Sequence, residues 1–583
     1  MEPPSPPEAP TAPTTGAPAR GRSARIDPAL VILVLAALAL RLWAVGWALP
    51  TERRLFTYHP DEGVNLVGGV LIEGVFRPHL DLAGGGTSFY NYGTLYFYLW
   101  QAAVAANRAY GFVSLGAGSL HPASPESLPS MLLMGRLVTV VLGVLTVWAV
   151  YSLGRRLGGR VGGAVAGAAW ALAPAAVVHG AFATVDVPTT FLVAVALALS
   201  ARLAQDPRGV TAILAGLCCG LAAATKYNAG LVLAAPLAGA WAAGRGCNDE
   251  AHAPRRATLA ALAAAAAAVG FLIACPAPLI NPEAFLRDFR REALLSAQGA
   301  GLVSAGTAPG WWHHLAISLP VALGWPLLLL SLGGIGLLAA RRRPADLAVL
   351  AFAAAYYTLI SMSERKYLRY VIPLIPVLAA GAGVAAQAAW EGRSTAWRQA
   401  ARGGILAALA LTAGLAAGWA GLMALPDPRD RAIAWLEAHA PPRAVLALAS
   451  VPWHHSPPLA PETTAPSPAL RYQAARQSAR FAVRVPPPNH DLDPVVLAPP
   501  RPHYVVVSSL LTDDWERLRL PAWREFRGIL EREYKPVVFE NPLRLFGIRL
   551  PRPRRGPHDM LYVWPRITIY ERRGPRTGAG GED

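Results

Sequence analysis

Residues 28–62 read PALVILVLAALALRLWAVGWALPTERRLFTYHPDE. The apolar part, 28–48, is long enough to cross a bilayer as a helix. It is also long for the core of a signal peptide, so it reads as an uncleaved anchor. Residues 1–27 before it are rich in Pro, Ala and Thr and carry Arg20, Arg22 and Arg25, the pattern of a disordered cytoplasmic tail. Directly after the helix comes Tyr58-His59-Pro60-Asp61-Glu62. An adjacent acid pair just past the first span puts charge at the membrane surface, and chemistry is expected there first.

Working outward, hydrophobic segments recur at 131–154, 161–180, 187–204, 209–225, 228–244, 257–278, 313–338, 345–362, 369–389 and 403–425, giving about eleven crossings. The 583 residues are 54% hydrophobic and only 15% charged, and the mean hydropathy is +0.34. Such a chain is a polytopic all-α membrane protein. Its net charge of +17 does not indicate nucleic acid, because the Arg residues are spread over short loops between apolar segments. Loops of that kind orient membrane proteins and meet anionic lipid headgroups. The four cysteines, Cys218, Cys219, Cys247 and Cys275, have no metal-ligand spacing and suggest no disulfide framework.

With the N-terminus in the cytoplasm, alternate loops are basic: Arg155, Arg156 and Arg160, then Arg202 and Arg208, then Arg245, Arg255 and Arg256, then Arg341 to Arg343, then Arg393, Arg398 and Arg402. These are the inside loops. Residues 92–112 would invert the pattern if they crossed. Their Tyr and Trp content suits an interfacial or re-entrant segment, the alternative being a true crossing compensated by a later segment that fails to cross. The outer face then holds the 49–130 loop, the Phe182–Pro188 turn, the 279–312 loop with an amphipathic stretch at 283–296, and the Ser363–Arg369 turn.

The transmembrane domain spans 28–426, and composition changes after it. Residues 427–583 read as a small extracytoplasmic α/β domain. Its expected elements are a helix at 430–439, strands near 444–449, 503–509, 536–540 and 560–571, a Pro-rich loop at 452–502, and one helix at 513–533 opened by an Asp cap.

Asp61 and Glu62 could take a proton from a hydroxyl or, with Asp186, hold a divalent metal. Capping or solvation is the structural alternative. Asp186 stands alone between two apolar helices, where acids usually serve a site, though it could equally cap the helix that follows. Lys366, Arg369 and Tyr370 lie in a cationic cluster on the outer face, against the orientation bias. Phosphate binding explains it, and so does contact with headgroups. Lys226 beside Tyr227 belongs to the same class. In Trp311-Trp312-His313-His314 the adjacent histidines diverge, so the run suits an aromatic belt, with His313 free to donate to a phosphate.

Together His59-Pro60-Asp61-Glu62, Arg136 with Tyr151–Arg156, Phe182–Asp186, Thr225-Lys226-Tyr227 and Arg369–Pro373 resemble glycosyltransferase family 39. This family belongs to the C-superfamily of membrane glycosyltransferases and includes protein O-mannosyltransferases and bacterial aminoarabinose transferases. The resemblance covers 28–390. It implies a helical bundle with the active site on the outer face, in a bacterial plasma (inner) membrane. It also implies a sugar donor on a polyprenyl phosphate, inverting transfer to a protein, lipid or polysaccharide hydroxyl, Asp61 as general base with Glu62 beside it, and Asp186 shaping the phosphate site. His59 belongs to the same motif and is counted with the substrate-binding residues. Two expected phosphate ligands are replaced, one by Ala181 and one within Phe89–Gly93. The competing classes are a lipid or glycan flippase and a non-catalytic envelope assembly factor. A flippase calls for polar groups in mid-span, whereas here the acids gather at one face.

Overall fold

The computed structural model describes residues 27–71, 89–113, 127–243, 249–299, 301–392 and 394–573. The expected tail up to residue 26, parts of the 49–130 loop and Cys247 lie outside the described residues.

The fold is mostly helical, and local chemistry sets where helices begin. Asp27 caps the helix Pro28–Ala44 by accepting from the Ala29 N–H at 3.1 Å, with Pro28 in the first turn where its missing N–H loses no bond. Six helical runs are long and apolar enough to span a membrane: Leu128–Leu172, Asp186–Gln205, Pro254–Ala274, Pro344–Ser361, Leu368–Trp390 and Thr395–His439. Pro28–Ala44 and Gly209–Ala223 are apolar but shorter. This makes an integral membrane protein whose helices divide differently from the eleven even crossings expected.

The divisions fall at Gly and Pro. The segments 131–154 and 161–180 join in one helical run, broken at Gly158 and Gly159, where φ of Gly159 is +70°. The straight span expected at 313–338 is instead two arms, Gly310–Leu323 and Trp325–Arg341, bent by 118° around Gly324. Gly324 has φ +80°, a conformation that favours glycine. The segment 92–112 forms the helix Leu95–Tyr110. It is tied to the bundle by Tyr96 Oη donating to the Gly135 carbonyl at 2.9 Å and Trp100 Nε1 to the Met131 carbonyl at 2.7 Å.

Beyond the bundle, a five-stranded sheet has the order β2-β1-β3-β7-β4. Its strands are β1 Val445–Leu448, β2 Ala482–Arg484, β3 Tyr504–Ser508, β4 Tyr534–Phe539 and β7 Ile567–Arg572, while β5 Leu543–Leu545 and β6 Ile548–Leu550 pair separately. β1 pairs in parallel with β2 and β3, and β7 is antiparallel to β3 and β4. Two expectations change here. The Pro-rich stretch contains the helix Pro468–Arg476 and strand β2, because Ser467 caps that helix and Pro468 occupies its first turn. The single helix at 513–533 is two, Ser509–Arg517 and Pro521–Glu533, separated at Arg519 (φ +54°), and Ser508 rather than an Asp caps the first.

This sheet domain is pinned to the bundle. Thr464 Oγ1 accepts from the Phe56 N–H at 3.0 Å, and Tyr58 Oη donates to Asp430 at 2.5 Å. The Arg429 guanidinium lies 3.7 Å from the Tyr58 ring centre and donates to the Tyr562 carbonyl at 2.7 Å. Buried Arg54 holds the carbonyls of Ala48, Leu49 and Phe56, which fixes the turn leading to His59.

Candidate active site

The helix Pro60–Asn65 carries both acids of the opening motif. His59 caps it, Nδ1 accepting from the Asp61 N–H at 3.3 Å, and Pro60 starts the first turn. Consecutive helical residues point about 100° apart, so Asp61 and Glu62 cannot act as a pair on one group.

Glu62 is fully buried. Arg136 grips it with Nε to Oε1 and Nη2 to Oε2, each at 2.8 Å. The Ala183 N–H adds a bond to Oε1 at 2.7 Å and Thr57 Oγ1 one to Oε2 at 2.8 Å. Burial pushes this carboxyl up, but the Arg136 charge and these bonds outweigh it and hold Glu62 below the usual carboxylate range. Arg136 also holds the carbonyls of Val45 and Trp47 at 2.7 and 2.6 Å. Glu62, expected beside Asp61 as a catalytic acid, thus has its acceptor positions taken, and it joins four segments of chain.

Asp61 differs. Its side chain is 26% exposed and forms an ion pair with Arg369, Oδ2 to Nη1 2.9 Å. The Arg369 guanidinium lies 4.3 Å from the Tyr367 ring centre. Its backbone N–H and that of Leu368 are both held by the Asp559 carboxylate, at 2.8 and 3.0 Å. The Asp61–Arg369 contact is an ion pair whose Nη1–H is not aligned as a hydrogen bond, so the pair leaves acceptor capacity on Asp61.

Asp186 opens the helix Asp186–Gln205 but does not cap it; Val185 is the cap residue and makes no side-chain cap bond. The Asp186 carboxylate is buried and receives Lys226 Nζ at 2.7 Å. The same ammonium sits 5.0 Å from the Tyr370 ring centre. Arg369 is electrostatically coupled to both Asp61 and Asp186. The structure thus gathers Asp61, Asp186, Lys226, Arg369 and Tyr370.

His59 is buried, with its ring 4.5 Å from Phe182 and 5.3 Å from Tyr562. Burial lowers its pKa against the pull of Asp61 and Glu62, and its Nδ1 is taken up by the cap on the helix that carries Asp61. Lys366 and His313 stand elsewhere. Lys366 Nζ reaches Thr307 Oγ1 and Glu364 Oε2, both at 3.3 Å. With His313 it lines a cavity of about 260 Å³ between the 301–317 segment and the sheet domain. The expected phosphate set is therefore split into an inner group and an outer one.

The three acids expected as a possible metal set each face their own cation, and no group of three His, Cys, Asp or Glu able to hold a metal occurs among the described residues. This donor set does not fit a metal.

Sequence reasoning missed Asp559, Tyr562, Arg429 and His179. His179 is fully buried with Nε2 3.7 Å from Asp559, and its ring is 5.7 Å from Phe182. The first three come from the sheet domain, and His-Asp-Met-Leu-Tyr at 558–562 carries no local signal for a contact with residue 369.

The fold is that of a polytopic membrane protein whose acid–cation pairs lie where the sheet domain meets the helical bundle. Residues 131–276 match the sequence model of a family described as dolichyl-phosphate-mannose-protein mannosyltransferase. Over these residues the resemblance to glycosyltransferase family 39 is borne out, and the match indicates a glycosyltransferase. No curated protein matches the sequence. Among solved structures, the oligosaccharyltransferase AglB of Archaeoglobus fulgidus, in complex with an inhibitory peptide and a dolichol-phosphate, aligns with TM-score 0.50 at 13% identity, over 91% of this chain and 77% of its own. ArnT from Cupriavidus metallidurans in the apo state aligns with TM-score 0.47 at 15% identity, over 93% and 97%. The Saccharomyces cerevisiae Pmt1-Pmt2 complex aligns with TM-score 0.31 at 14% identity, over 49% and 36%.

Proposed function

We propose that this chain moves a sugar from a polyprenyl-phosphate carrier to an acceptor hydroxyl at the outer face of the membrane, with Asp61 as the general base. The carrying observation is the contrast between the acids. Glu62 and Asp186 are buried and committed to Arg136 and Lys226, whereas Asp61 is partly exposed and held only by an ion pair. The family description and the dolichol-phosphate in the AglB structure support the donor class.

The chemistry follows from these partners. A lipid phosphate arriving at headgroup level meets Arg369 and Lys226, which neutralise it. As the phosphate takes up the Arg369 guanidinium, Asp61 is released toward the acceptor. The acceptor oxygen attacks the anomeric carbon opposite the phosphate and the bond from that carbon to the phosphate oxygen breaks. The polyprenyl phosphate leaves with the electron pair, Asp61 takes the hydroxyl proton, and the configuration inverts. No step runs through a metal.

The test is release of polyprenyl phosphate by the purified protein in nanodiscs, across donors bearing different sugars. A base contributes about 10²–10⁴-fold, so Asp61→Asn is expected to lose transfer by that order while the protein remains folded at the assay temperature. Full activity in that variant would remove Asp61 from the role. The orientation has its own check. A cysteine replacing Arg290 on the helix Pro282–Gln298 should react with a membrane-impermeant maleimide on intact cells, and one replacing Arg343 only after permeabilisation.

A further inference from the structure

We propose that the crevice at the carboxyl ends of β1 and β3 binds an uncharged saccharide, and that this saccharide is the acceptor of the transfer, a claim that rests on the reading under Proposed function. β1 and β3 are adjacent and parallel, and the chain leaves β1 toward β2 on its other side. That is a topological switch point, and α/β sheets bind ligands in the crevice outside the strand ends there. A cavity of about 370 Å³ lies at this place, bounded by the segments that follow β1 and β3 and by residues 301–303 of the loop after the helix Pro282–Gln298. Its size falls in the range of about 300–1,000 Å³ usual for small-molecule sites.

The lining selects the ligand. Trp453, half-buried, gives an apolar ring, and Arg471 is stacked 4.2 Å from its centre. His454 is 9% exposed, and neither ring nitrogen has a hydrogen-bond partner among the described residues. Leaving such a group unsatisfied in a buried place is costly, and a ligand hydroxyl would relieve it. Asp491 and Asp514 offer carboxylate acceptors on the same wall. Asp514 is already bound to Arg517 at 2.8 Å. One cation facing two acids does not suit a phosphate, and the cluster includes no metal-binding group among the described residues. A neutral imidazole that both donates and accepts, carboxylates that accept and an aromatic face together suit sugar hydroxyls and the apolar face of a pyranose ring.

Packed rings join the wall of the crevice to the candidate site. The His454 ring is 5.2 Å from Tyr562, and Tyr562 is 5.3 Å from His59, the cap of the helix that carries Asp61. The crevice therefore lies one packed ring, Tyr562, away from the cap of the helix that carries the proposed base. The Lys366 cavity adjoins through Val303, Leu510, Asp514 and His558.

The test uses the full-length protein in nanodiscs and saturation-transfer NMR with neutral di- and trisaccharides of mannose, glucose, galactose and N-acetylglucosamine, with sulfated and sialylated sugars as anionic controls. At least one neutral saccharide should bind. Trp453→Ala and Asp491→Asn should each weaken it about tenfold or more, Trp453→Phe should keep most of the binding, and undecaprenyl phosphate should bind all variants as it binds the parent. The proposal is overturned if no neutral saccharide binds, if only anionic sugars bind, or if Trp453→Ala and Asp491→Asn bind as the parent does. Saccharide binding without binding of undecaprenyl phosphate would sink the donor reading and leave the crevice standing; the reverse would sink the crevice alone.

Discussion

Two neighbouring carboxylates divide into separate tasks at the scale of single residues. Removing one partner of a buried ion pair strands the other charge, which costs about 3–5 kcal/mol. Glu62→Gln should therefore lower thermal stability by that order, since Arg136 is fully buried and loses its counter-charge. Asp61→Asn, at a partly exposed acid, should cost less stability than Glu62→Gln and lower transfer by about 10²–10⁴-fold. Equal stability of the two variants by calorimetry would contradict this division. The Asp186–Lys226 pair gives a cycle. Asp186→Asn and Lys226→Met should each destabilise, and the double variant should recover stability because no unpaired charge remains. It should not recover transfer if Lys226 meets the donor phosphate; recovery of both would make the pair purely structural. The motif itself was legible in the sequence because it follows the first apolar segment and belongs to an ordered set of motifs that resemble one family. Which acid was free was not, since that is decided by Arg136 and Arg369, which lie 74 and 308 positions away from the acids they meet.

Helices and strands were legible where apolar length decides them and less so where geometry does. Hydropathy is blind to a bend, so 313–338 read as straight, although Pro320, Gly324 and Pro326 marked the break. Proline density made 452–502 read as loop, although Pro in a first turn starts a helix as readily as it ends one. The same segment carries His454 and His455, both buried. Burial first, then neighbouring His and Arg charge, lowers their pKa values, to about 3 for His455. Their folded values lie below the unfolded value near 6.5. They therefore contribute nothing against folding above that pH, and stability is lost as pH falls from about 6.5 toward about 3. Each histidine then costs up to about 1.4 kcal/mol per pH unit. Hydrogen-exchange protection factors across 449–459, corrected for the pH dependence of intrinsic exchange, should fall on acidification from pH 7.5 to 5 before those of the bundle helices do. Uniform exchange across the chain would show that these rings are not the first to charge.

The site is complete only in the whole molecule, because the sheet domain supplies Asp559 and Tyr562 to a bundle that supplies the acids and cations. Nothing in 427–583 announces this. The Asp559 carboxylate meets the backbone N–H groups of Leu368 and Arg369, a contact without a side-chain signature on one partner. Two backbone donors at the start of the 3₁₀ turn Leu368–Leu374 would otherwise be unpaired in a buried place. Asp559 thus fixes where the Arg369 guanidinium stands relative to Asp61. Displacement by about 1 Å of a group that positions substrate costs roughly 10²-fold in rate, so Asp559→Ala is expected to lose transfer by about that factor. The bundle should still unfold near the parental temperature, while trypsin should cut faster around Arg429 and Arg431 as the domain loosens. Asp559→Asn, which keeps one acceptor oxygen, should fall between the two. Parental transfer rates in Asp559→Ala would mean that the bundle alone sets the Arg369–Asp61 geometry and that the sheet domain serves the acceptor rather than the catalytic pair.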